Sequence, residues 1–138
     1  MPFVHETFSR TITLTEAEIV EFAGNIGDEN PLHSDPEYAA TTRFSRIVAC
    51  GPHYSSLFMA LAGTHFSKEA PMLGLEFNFN FRRVVLAGDT LTMHWVVTHV
   101  VPKGKLGGDL VTIKGDIINQ LGKVVVIASG TVLVAPSL

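Results

Sequence analysis

The sequence predicts an α+β domain in which a five-stranded antiparallel sheet wraps around one central helix, and three observations carry that reading. A helical period near the start is followed by a second helix that is apolar on most sides. After it the period drops to two and stays there to the end of the chain. A run of strands after a run of helices argues for an antiparallel sheet with its helices on one side. The 138 residues, 46% of them apolar and 17% charged, suit one domain over positions 1–138 with ample material for a core.

The elements follow in order. A strand is expected from about Thr7 to Leu14. Between Thr15 and Ile26, Ile19, Phe22, Ala23 and Ile26 share a helical face, and Thr15 with Glu18 three residues on reads as a capping box. Gly27 ends that helix. Asp35 then reads as the cap of a short helix whose first position is Pro36. From Pro52 to about Phe66, Tyr54, Leu57, Phe58, Met59, Ala60, Leu61, Ala62 and Phe66 spread around most of the circumference, so this helix is expected to be buried nearly all round. Next, Leu73, Leu75, Phe77, Phe79 and Phe81 alternate with Gly74, Glu76, Asn78, Asn80 and Arg82, and the first set is expected to face the helix. Leu91, Met93, Trp95 and Val97 repeat the pattern, as do Val111, Ile113 and Ile117 and, more faintly, positions 123–134. Turn residues mark the connections at 87–89, 102–108 and 119–122. A sheet curled around a helix in this way is the arrangement known as a hot dog.

Composition excludes several classes of function. The net charge is −3, and no cluster of Lys and Arg interleaves with aromatics, so neither nucleic acid nor a membrane surface is an expected partner. A single cysteine, Cys50, rules out an internal disulfide and a cysteine-based zinc site. His5, His94 and His99 lack metal-ligand spacing, and no metal is expected. No basic start with a continuous apolar run reads as a secretory signal, and no segment is long enough to span a bilayer; a cytoplasmic location is the expectation.

The stretch 27-GDENPLHSDPEYA-39 gathers one imidazole and four carboxylates around two prolines. Asp35 is accounted for as a cap, and Glu29 and Glu37 read as solvated. Asp28 and His33 lie five residues apart across Asn30-Pro31, a rigid bend with an amide able to orient a neighbour. A carboxylate and an imidazole so placed against one small molecule suit general acid/base work on water. Cys50 reads first as a buried small hydrophobe. His53 and His65, on the central helix, read as packed and hydrogen-bonded, with His53 the better candidate for a role at the site.

With these residues in view, 27-GDENPLHSDPEYAATTRFSRIVACG-51 resembles the signature of the MaoC-like (R)-specific enoyl-CoA hydratases, which runs Gly-Asp-x-Asn-Pro-x-His, Asp-Pro, Ala, Arg-Phe-x-Arg and then His-Gly. A weaker likeness continues through 77-FNFNFRRVVLAGDTL-91 and 119-NQLGKVV-125. The resemblance implies a hot-dog fold, usually dimeric, with Asp28 and His33 as the catalytic pair. By the same resemblance Gly51 offers its backbone N–H to a thioester carbonyl, and Asn30, Cys50 and His53 line the substrate site. Cys50 stands where the family usually has His, and Met59 where some members have Ser. The implied activity is reversible addition of water to a trans-2-enoyl thioester of coenzyme A or a carrier protein, without cofactor, by a homodimer. An acyl-thioester hydrolase and a non-catalytic acyl-thioester binder on the same fold are the rival readings.

Overall fold

The capping box read from Thr15 and Glu18 is formed. The Thr15 hydroxyl accepts the Glu18 N–H at 3.2 Å, and the Glu18 carboxylate takes the Thr15 N–H in return. A computed structural model describes all 138 residues. In chain order the elements are β1 (Thr7–Thr13), α1 (Glu16–Asn25), a 3-10 turn (Pro31–His33), α2 (Pro36–Ala40), α3 (Gly51–Ser67), β2 (Met72–Phe81), β3 (Thr90–Lys103), a second 3-10 turn (Gly104–Leu106), β4 (Gly108–Asn119) and β5 (Val124–Val134). Asp35 caps α2 as expected, accepting from the N–H groups of Glu37 and Tyr38.

The five strands form one antiparallel sheet in the order β1-β3-β4-β5-β2. Only β3, β4 and β5 follow one another as hairpins. The turn at 87–89 does not join neighbouring strands: the chain leaves β2 at one side of the sheet and crosses to β3 near the other. Asp89 secures that crossing, its buried carboxylate accepting the Leu86 N–H and the Gln120 side-chain amide, both at 2.9 Å.

The alternating residues Leu91, Met93, Trp95, Val97, Val111, Ile113 and Ile117 are fully buried beneath α3. Each such aliphatic side chain contributes roughly 1.5–3 kcal/mol relative to exposure. At the centre the Trp95 ring stacks on Phe58 of α3, centroids 3.9 Å apart, and its Nε1–H donates to the Phe58 carbonyl at 3.0 Å. Gly115, paired with Trp95 across β3 and β4, makes room for this stack. A Cβ there would lie 2.3 Å from the His94 carbonyl oxygen and 2.8 Å from the Phe58 ring.

Two expectations need correction. The alternation in β2 does not run unbroken from Leu73 to Phe81, because Leu75 is an extra residue between the paired positions Gly74 and Glu76. A bulge shifts the parity of every residue on one side of it. Met72, Phe77 and Phe79 therefore pack on the core, whereas Leu73 and Leu75 are 51% and 53% exposed. Nor is α3 buried all round. Its sheet face, with Tyr54, Phe58, Ala62 and Phe66, is covered, but Met59 on the other side is 40% exposed, because the sheet of one chain covers one side of the helix.

Candidate active site

Asp28 is placed by the way α1 ends. Gly27 adopts φ +74°, its N–H bonds to the Gly24 carbonyl at 3.2 Å, and the Asp28 N–H bonds to the Ala23 carbonyl at 2.9 Å. That pair of bonds is a Schellman closure, which needs a residue at ease with positive φ. The Asp28 carboxylate then accepts the Asn30 N–H on Oδ1 at 3.0 Å. Asn30 in turn accepts the Leu32 N–H at 3.1 Å and so caps the 3-10 turn that carries His33.

His33 is held from the opposite side. Its Nδ1 lies 2.6 Å from the carbonyl oxygen of Val48, and the Val48 N–H returns to the Leu32 carbonyl at 3.1 Å. A carbonyl can only accept, so Nδ1 carries a proton, and Nε2 is the nitrogen that presents a lone pair in the corresponding tautomer. The Asn30 side-chain nitrogen, 3.4 Å from Nε2, is a donor and fits that tautomer. Nε2 faces Asp28 Oδ2 across 3.8 Å. The gap is too long for a direct hydrogen bond and suits one small oxygen ligand held between the two groups. Both side chains are partly open to solvent.

Val48 ties this pair to the start of α3. The segment 47–49 is clamped against 85–87, the Ala49 N–H bonding to Val85 at 2.8 Å and the Ala87 N–H to Ile47 at 2.9 Å. Two residues on, α3 begins at Gly51. Pro52 has no N–H, and the His53 N–H bonds to the Cys50 carbonyl at 3.0 Å. The Gly51 N–H, without an intrahelical acceptor, is the donor left at the positive end of the helix dipole. The Phe81 ring lies against it, 3.1 Å from where a Cβ on Gly51 would stand.

The structure therefore brings Asp28, Asn30 and His33 into one cluster and places Gly51 beyond the same clamped segment. Cys50 is buried at the N-cap of α3 without a capping bond. Burial pushes its thiol up, and the Asp28 charge adds to that push, so it is a poor nucleophile. The His53 ring stacks on Phe22 of α1 at 4.3 Å and is 6% exposed. Burial moves its pKa down, with the Glu18 charge partly opposing, and Nδ1 lacks a partner, contrary to the expectation of a hydrogen-bonded ring. His65 is packed and bonded as expected, stacked on Phe8 and paired with Glu6. The sequence reading did not find Val48 or Phe81, because a backbone acceptor and a long-range ring contact leave no mark in local spacing. No group of three or more His, Cys, Asp or Glu is placed to hold a metal. Two hollows, of about 400 and 550 Å³, lie near the C-terminal end of α3 and touch neither Asp28, His33 nor Gly51.

A curled antiparallel sheet with a helix across it defines the hot-dog class. The chain belongs to the MaoC-like domain family, whose model matches residues 4–114. It is 33% identical to an (R)-specific enoyl-CoA hydratase of Rhodospirillum rubrum over 122 residues, 88% of this chain and 81% of that protein. It is 32% identical to a UPF0336 protein of Streptomyces avermitilis over 119 residues, 80% of this chain and 77% of that one. Among solved structures it is similar to the (R)-hydratase from A. caviae involved in PHA biosynthesis, with TM-score 0.84 and 29% identity over 95% of this chain and 96% of that chain.

Proposed function

We propose that this chain adds water reversibly to a trans-2-enoyl thioester and yields an (R)-3-hydroxyacyl thioester. The observation that carries the reading is the pair of Asp28 Oδ2 and His33 Nε2, 3.8 Å apart, with Nδ1 of the same ring committed to Val48. Likeness to relatives named (R)-specific enoyl-CoA hydratase supports the substrate class and the stereochemistry.

The chemistry follows from placement. The enoyl carbonyl accepts the Gly51 N–H, which withdraws electron density and leaves C3 electrophilic. Water held between Asp28 and His33 loses a proton to the pair as its oxygen bonds to C3, and the pair returns a proton to C2. Protons and electrons balance, so the scheme calls for no redox cofactor. Asp28 and His33 work as one unit, and separate acid and base labels are not needed.

A homodimer belongs to the same proposal. Met59 on α3, with Leu73 and Leu75 on the sheet-edge strand β2, leaves apolar surface that a second copy would cover. Light scattering at micromolar concentration is expected to show a dimer, and a monomer would contradict it. The reaction itself is tested by mass analysis of products from crotonyl-CoA. Gain of one water supports hydration; release of free coenzyme A would make the protein a thioesterase.

A further inference from the structure

All five arginines of the chain are exposed, and none of them is within ion-pair distance of a carboxylate. Arg82 and Arg83 stand apart from the others by their place. They follow directly on Phe81, whose ring lies against Gly51. Their N–H groups both bond to the Val125 carbonyl, at 2.8 and 3.3 Å, so two residues oppose one as in a β-bulge, which breaks the strict alternation of faces. Beyond them the chain runs antiparallel to 47–49, which carries positions 83 and 84 back toward Cys50 and Gly51. Arg82 and Arg83, anchored through their backbone, exposed and unpaired with any carboxylate, thus lie on the stretch of chain that leads from Phe81 back toward the residue that would receive the thioester.

A guanidinium presents a planar fork of donors that matches phosphate oxygens, and two adjacent ones suit a phosphate ester better than a carboxylic acid. We propose that Arg82 and Arg83 form a phosphate subsite for the far end of a pantetheine arm. The inference rests on the thioester reading above and deepens it. Coenzyme A and a carrier protein share this phosphate, and free pantetheine lacks it.

The test compares the wild type with Arg82→Ala/Arg83→Ala on crotonyl-CoA, a crotonyl carrier protein and crotonyl-pantetheine. Binding of coenzyme A and of pantetheine is measured by calorimetry on the same proteins. Loss of charge-assisted hydrogen bonds is expected to lower kcat/KM about 10-fold or more through KM on the phosphate-bearing substrates, with crotonyl-pantetheine unchanged. The substrate that suffers more identifies the natural carrier. Arg10→Ala on β1, at the opposite edge of the sheet, removes one of the same charges and is expected to change nothing. An equal loss on all three substrates, or no loss on any, overturns the subsite. If the wild type hydrates none of them, the hydratase reading falls, while weaker binding of coenzyme A but not pantetheine by the double variant still supports the subsite and its absence overturns it.

Discussion

His33 Nδ1 donates to the Val48 carbonyl across 2.6 Å, joining a loop residue to the segment that leads into α3. This bond sets the tautomer that points a lone pair at Asp28. Nitrogen NMR of the protein with the His33 ring unprotonated at one nitrogen is expected to find the remaining proton on Nδ1. A proton on Nε2 instead would leave the Asp28 carboxylate as the pair's only proton acceptor.

The proposed function divides the carboxylates of the loop by role. Asp35 bonds only to the N–H groups that open α2, so Asp35→Asn is expected to leave turnover and stability nearly unchanged. Asp35→Ala is expected to lower stability by about 1 kcal/mol in urea denaturation with turnover per folded molecule intact. A large loss of turnover in Asp35→Asn would show that the division is wrong.

Gly115 is a space requirement. Its missing Cβ would meet a backbone carbonyl at 2.3 Å, which cannot rotate away as a side chain could. Gly115→Ala is expected to fall at or above the top of the roughly 1–3 kcal/mol range for overpacking. A midpoint of urea unfolding near that of the wild type would mean that β3 and β4 separate easily at this point.

His53 makes stability depend on pH. Burial depresses its pKa in the folded state, so the unfolded chain takes up a proton first as pH falls below the ordinary histidine value of about 6.5. Folded stability is thereby lost on acidification and regained as pH rises. The melting temperature of His53→Phe is expected to fall less than that of the wild type between about pH 7.5 and 5.5. Parallel curves would show that His53 is protonated without penalty.

Much of the fold was legible because it is local. Thr15 and Glu18, Asp35 and Pro36, and the alternation from Leu91 to Val97 each specify their element within a few residues, and each stands as read. What was not legible depends on pairing between distant segments. The extra residue at Leu75 shows only in the register against β5, so Leu73 reads as a core residue until that register is known. The apolar residues around α3 suggest burial, but they do not say that one chain covers a single side. The nearness of Asp28 and His33 was legible from their spacing. The Val48 acceptor, fifteen residues from His33, and the Phe81 ring against Gly51 exist only once the chain has folded.

Hydration of crotonyl-CoA by purified variants tests whether Asp28 and His33 act together on water. Asp28→Asn keeps the shape and the bond from the Asn30 N–H but removes the proton-accepting group. Its rate is expected to fall by ~10² to 10⁴, with substrate binding and thermal melt preserved. His33→Ala is expected to fall comparably, and the double variant by much less than the product of the two losses. Near-normal hydration by Asp28→Asn, in a folded protein that binds substrate, would contradict the assignment of this pair.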